Sequence, residues 1–176
     1  MLKSFRLLPL FLFAGCYVTK VTQLKGTYPT PPIITSSDKS FDKVWDNTVD
    51  YFAQHGIPIK IIDKASGLIV SDKAKLSWSF EDKNGKLLRP DAYVVLKKMT
   101  GDYSDKPFKP DEVTGEWNIR IKPVGTGTSI NVNLYNIQAV YERAYYSYYK
   151  GVTNSWVTVD GYTTGNFERS FEDAVK

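Results

Sequence analysis

The sequence predicts an α+β domain of two layers, an antiparallel sheet carrying an N-terminal and a C-terminal helix on one face. Three observations predict it. Residues 41–52 place apolar side chains at helical spacing, several later runs alternate apolar with polar residues between turn signals, and residues 163–175 return to helical spacing. With 42% hydrophobic and 14% aromatic residues among 176, the chain has enough apolar surface for one core of ordinary size, which excludes a disordered protein.

Ser40 is a good N-cap for the first helix, because its hydroxyl can accept an N–H that the opening turn leaves unpaired. Phe41, Val44, Trp45, Thr48, Val49 and Phe52 then share one stripe. Asp42, Lys43, Asp46, Asp50 and Gln54 lie opposite, as on a helix with its outer side in water, and Gly56 stops it. Residues 57–62 read as a strand, Asp63-Lys64-Ala65-Ser66-Gly67 as a turn with glycine available for positive φ, and residues 68–71 as the return strand. Leu76, Trp78 and Phe80 alternate with polar neighbours and predict another strand with one buried face. A turn at Asn84-Gly85 and an apolar run at 93–96 follow.

Residues 100–114 hold four acids and two prolines amid little apolar content and read as a solvated loop. Beyond it, Trp117, Ile119 and Ile121 alternate with Asn118, Arg120 and Lys122, and Ile130, Val132 and Leu134 with Asn131 and Asn133. Gly125-Thr126-Gly127-Thr128 between them closes an antiparallel hairpin. Thr163 or Thr164 can cap a final helix whose stripe is Phe167, Phe171 and Ala174 or Val175. A single domain is expected over residues 41–176.

The N-terminus reads as a processing signal. Lys3 and Arg6 precede an apolar stretch at 7–13, which is far shorter than the roughly 20 residues that cross a bilayer as a helix and is interrupted by Pro9. Ala14 and Gly15 are small, and Cys16, the sole cysteine, follows at once. Phe13-Ala14-Gly15-Cys16 resembles the bacterial lipobox, which implies a signal peptide at 1–15, cleavage before Cys16 and acylation of its thiol. At about 0.8 kcal/mol per buried methylene, two or three acyl chains hold a soluble domain on a membrane almost permanently. Residues 17–40, with Tyr28-Pro29-Thr30-Pro31-Pro32, favour extended geometry and read as a tether. The alternative is that Val18, Val21 and Ile33-Ile34 dock on the domain as an edge strand.

Ser40-Phe41-Asp42-Lys43-Val44-Trp45, Gly56-Ile57-Pro58-Ile59 and Asp63-Lys64-Ala65-Ser66-Gly67-Leu68-Ile69 together resemble the opening of a helix-grip domain of the BamC-like kind found in bacterial lipoproteins. Thr164-Gly165-Asn166-Phe167-Glu168 resembles its closing helix. The resemblance covers about the first third and the last tenth of the chain that would follow cleavage. It implies a lipid-anchored interaction or scaffold module of the cell envelope, on the outer membrane and facing the periplasm. It implies no catalytic residue.

The formal charge of +4 falls to 21 basic against 19 acidic residues once Lys3 and Arg6 are removed, and the lysines are scattered, so nucleic acid is not an expected partner. One histidine, His55, excludes a multi-histidine zinc site and reads as a cap of the helix end. Glu81-Asp82, Asp102 with Asp105, and Asp111-Glu112 offer carboxylates in polar surroundings that do not raise a pKa, so no enzyme activity, metal or cofactor is expected. Gly125-Thr126-Gly127-Thr128 is too short for a phosphate loop. The least ordinary feature is aromatic: Tyr141, Tyr145, Tyr146, Tyr148, Tyr149 and Trp156, with Tyr135 and Tyr162 nearby. Helical spacing and strand alternation both fit this segment. Tyrosine and tryptophan favour interfaces, so these residues are the expected contact for an envelope protein or, alternatively, for carbohydrate such as peptidoglycan.

Overall fold

Ser40 leaves extended geometry to open helix α1 (Phe41–Gln54), and its hydroxyl accepts the Lys43 N–H. The helix ends in a glycine stop. Gly56 sits at φ +62°, its N–H reaches the Ala53 carbonyl at 3.3 Å, and the Ile57 N–H reaches the Phe52 carbonyl at 2.9 Å. Both bonds satisfy carbonyls that the last turn leaves open. Val44, Trp45, Thr48, Tyr51 and Phe52 are buried, with Phe41 and Val49 packed at the margin.

The structure, a computed structural model, describes residues 20–100, 106–147 and 151–176, with the backbone alone at 142–147 and 151–158. Before α1 lie strands β1 (Lys20–Val21) and β2 (Ile33–Ser37). After it come β3 (Ile59–Asp63), β4 (Leu68–Ser71), β5 (Ala74–Lys75), β6 (Trp78–Ser79), β7 (Val94–Leu96), β8 (Met99–Thr100), β9 (Glu112–Val124), β10 (Gly127–Ser147) and β11 (Gly151–Thr163), then helix α2 (Asn166–Val175). The main sheet runs β3-β4-β9-β10-β11-β7-β6, with β2 also on β10 and β5 also on β9; β1 and β8 make a separate pair. The fold is α+β, a mixed sheet flanked by two helices near the termini.

Alternation builds the centre. Along β9, Val113, Trp117, Ile119 and Ile121 are buried; facing them on β10 are Ile130, Val132 and Leu134. The β10 sequence then breaks phase, because the next buried residues are Ile137, Ala139 and Tyr141. A bulge between Tyr135 and Gln138 absorbs the extra residue, and Asn136 takes φ +50° there. Without the bulge, the second half of β10 would turn its apolar side to water. Tyr135 and Asn136 both donate to the Glu116 carboxylate on β9, at 3.0 and 2.6 Å, which pins the irregularity.

α2 closes the core with Phe167, Phe171 and Val175, of the expected stripe. Phe167 is the hub: it stacks on Trp117 with ring centroids 3.4 Å apart and meets Tyr51 and Tyr93 edge-on at 5.7 and 5.5 Å.

Four expectations change. The sheet is mixed, since β6 and β7 are parallel, Trp78 opposite Val94; the Asn84-Gly85 turn brings Leu87 back antiparallel to Glu81, and a second turn, closed by the Ala92 N–H on the Arg89 carbonyl, restores the original direction. The strand expected at Leu76, Trp78 and Phe80 is broken, because residues 74–75 pair with β9 and residues 78–79 with β7. The loop expected to end at Thr114 gives way at Glu112, where β9 begins and Val113 is already buried. At α2 the N-cap is Gly165 at φ +80°, while Thr163 and Thr164 accept the N–H groups of Gly165 and Asn166.

The tether expectation also changes for the described part of residues 17–40. Ile33–Ser37 pairs with residues 128–132 of β10 from Val132↔Ile33 to Thr128↔Ser37, and Lys20–Val21 pairs with β8. The docked alternative is what forms for Val21 and Ile33-Ile34, because β10 offers an open edge beside the one used by β9. Val18 and Cys16 lie outside the described residues.

Candidate functional site

The tyrosine-rich segment is a strand hairpin. β10 and β11 pair from Gln138↔Asp160 to Ser147↔Gly151, which resolves the helix-or-strand ambiguity in favour of strands. The last bridge from β10 to β9 is Val140↔Glu112, and β11 joins β7 only from Gly161 onward. Between these limits, residues 141–147 and 151–157 pair with each other and with no third strand among the described residues. At about 3.4 Å per residue, this two-stranded ribbon extends roughly 24 Å past the sheet.

The expected contact residues divide. Tyr141 is a core residue, 1% exposed, and is withdrawn from the contact set because the bulge turns it inward. Its hydroxyl has no hydrogen-bond partner among the described residues, and burial pushes its pKa up to about 12. Tyr145 and Tyr146 stand on the ribbon opposite Thr153 and Val152, and Trp156 stands opposite Glu142. Tyr148 and Tyr149 fall outside the described residues, as does the lipidation residue Cys16.

The carboxylates serve the fold. Asp82 accepts the Asn84 and Lys86 N–H groups at 2.8 and 2.9 Å, and those bonds hold its pKa below the ordinary value. Glu112 pairs with Lys75 at 3.3 Å in solvent. Asp102 and Asp105 lie outside the described residues. His55 stacks on Tyr51, and its Nδ1 bonds the Tyr51 carbonyl at 2.8 Å, a helix-end role. No cluster of three potential metal ligands occurs among the described residues. Beside His55 opens a cavity of about 160 Å³ between Leu76, Tyr93, Trp117 and Phe167. The Trp117 Nε1–H is buried and has no acceptor among the described residues.

Glu81, expected with Asp82 in polar, solvated surroundings, is instead buried, and sequence spacing missed its partners. It is 5% exposed, yet the Lys25 N–H and the Gly26 N–H each reach one of its oxygens at 2.8 Å, and the Tyr28 hydroxyl donates at 2.7 Å. Burial alone would raise its pKa; the bonds from Lys25, Tyr28 and Gly26 outweigh it and hold the group below its usual value. Conversely, desolvation and the neighbouring Glu81 push the Tyr28 hydroxyl up. The partners lie more than fifty residues apart in the chain. No local pattern reports such a contact.

No protein-family model matches the sequence, and no curated protein matches it.

Proposed function

We propose that this chain is a lipid-anchored module of a bacterial cell envelope, built on a helix-grip-like domain, that binds a protein partner without catalysing a reaction. Cys16 is the acylated residue, and the periplasmic face of the outer membrane is the location. The observation that carries the reading is the ribbon at 141–147 and 151–157. Among the described residues its outer strand edges have no further strand partner, and an extended segment of another protein can add a third strand there. Tyr145, Tyr146 and Trp156 are ribbon positions by register, and tyrosine and tryptophan are residue types favoured at interfaces. Main-chain pairing favours a protein over carbohydrate, which has no strand to add.

The test is cross-linking and pull-down from intact envelope with native protein and with Tyr145, Tyr146 and Tyr148 replaced by alanine. Loss of a discrete partner in the triple variant supports the reading. Equal recovery of that partner refutes it, and loss of binding to purified cell-wall glycan instead would favour a peptidoglycan-binding role. Mass spectrometry of the natural product tests the anchor; an unmodified Cys16 or an intact Met1 would exclude it.

A further inference from the structure

We infer that residues 20–32 form a releasable strap, held by the Glu81 carboxylate, that sets how far the domain can stand from its membrane anchor. The inference rests on the proposed acylation of Cys16 for its consequence, but the strap itself is argued from contacts in the fold.

The strap is attached at a few points rather than buried along its length. β1 pairs with β8 through two residues, and the Thr22 N–H reaches the Lys98 carbonyl at 2.9 Å. The strongest attachment is the carboxylate grip: successive N–H groups of Lys25 and Gly26 point at the two oxygens of Glu81, the Tyr28 hydroxyl adds a third donor, and the Lys25 Nζ reaches the Lys83 carbonyl at 2.9 Å. Gly26 is fitted to that grip. A Cβ on it would fall 2.8 Å from Glu81 Oε1 and 2.8 Å from the Gly85 carbonyl oxygen. Further along, Pro29 lies against Gly165, where a Cβ would meet Pro29 Cγ at 3.0 Å. Most strap residues remain exposed, so few apolar contacts oppose its lifting.

β2 is different, since all five of its residues pair with β10. It is the fixed end. With the strap seated, only the four steps from Cys16 to Lys20 separate lipid from domain, at most about 14 Å; with it lifted, the seventeen steps from Cys16 to Ile33 reach about 60 Å. One carboxylate therefore governs a roughly fourfold change in reach, and with it whether the tyrosine ribbon meets partners at the bilayer or away from it.

The experiment uses full-length protein purified from a bacterial envelope and bound to phosphatidylethanolamine–phosphatidylglycerol vesicles. Sedimentation first establishes vesicle binding; trypsin is then added, and mass spectrometry follows cutting after Lys25, distinguished from cutting after the exposed Lys20, which also frees the domain. Glu81→Gln and, independently, Gly26→Ala are each expected to speed that cut about tenfold or more, because cleavage reads the population of the lifted strap. Hydrogen exchange at the Lys25 and Gly26 amides should rise in parallel, while exchange in β9 stays slow and shows that the domain remains folded. If native protein is cut and exchanged at these positions as fast as both variants, the strap is overturned. If the protein never sediments with vesicles, the acylation reading fails and the reach consequence fails with it, while the amide exchange still decides whether Glu81 holds the segment. A variant that loses protection in β9 is replaced by the other, and failure of folding in both would show the grip to be part of the core rather than a strap.

Discussion

Tyr141→Phe separates a core tyrosine from a contact tyrosine. The side chain is 1% exposed and its hydroxyl has no hydrogen-bond partner among the described residues. A buried hydroxyl left unpaired costs about 1–3 kcal/mol. Removing the oxygen opens a gap of about 10 Å³, which at roughly 24 cal/mol per Å³ returns only a few tenths of a kcal/mol. The variant is therefore expected to be more stable by about 1 kcal/mol, or about 2–4 °C for a domain of this size. A pH dependence follows. Burial pushes the phenol up to about 12 in the folded state, against 10.0 as the reference value for the unfolded chain. The unfolded chain ionises first, so this group's contribution is complete below pH 10 and is lost as pH rises through the folded value. Urea unfolding of native and variant protein at about pH 7 and about pH 11 measures both effects. The native protein should lose more stability between the two conditions than the variant does. A variant destabilised by more than about 0.5 kcal/mol at neutral pH, with unchanged pH sensitivity, would refute the unpaired buried hydroxyl.

Other outcomes follow from the same geometry. Phe167→Ala should cost about 3–5 kcal/mol in urea unfolding, since it removes the ring shared by Trp117, Tyr51 and Tyr93; a loss under about 1.5 kcal/mol would contradict the hub. Gly67→Ala should cost about 2 kcal/mol or more, because φ is +68° and a Cβ would come within 1.9 Å of the Ile121 carbonyl oxygen, whereas Gly56→Ala, at φ +62° with open space around it, should cost only about 1 kcal/mol. Thermal melts that rank the two glycines in the opposite order would exclude the steric explanation. Because the folded pKa of Glu81 is held below its reference value of 4.5, its stabilisation is present above that pH and is lost as pH falls through the folded value. Protection of the Lys25 and Gly26 amides, measured against the intrinsic exchange rate at each pH, should fall on acidification in native protein and be low at every pH in Glu81→Ala.

The parts of the fold legible in the sequence are those whose cause is local. Ser40 and Gly56 bound α1 because a cap and a left-handed stop act within a few residues, and Trp117, Ile119 and Ile121 announce a strand through period-two alternation. Illegible were the features decided by distant neighbours. Ile33-Ile34 resembles a linker until β10 provides its edge, and Tyr141 looks like a surface aromatic until the Asn136 bulge shifts its phase. The split of residues 74–79 between β9 and β7 is of the same kind. At the candidate site, the ribbon was visible as composition but not as geometry, because helical and strand spacing coincide there. The Glu81 grip was invisible, since the Glu81-Asp82 pair carries no local sign of donors that lie more than fifty residues earlier.

The pairing of Ile33–Ser37 with residues 128–132 has a bearing on assembly order. A segment near the front of the chain waits for its place until nearly a hundred further residues have been made, so the sheet cannot close progressively behind a growing or translocating polypeptide. Closing so long a loop is slow compared with forming a helix or hairpin. Chains halted before Thr128 would leave this early strand without its partner, ready to join whatever edge another molecule presents.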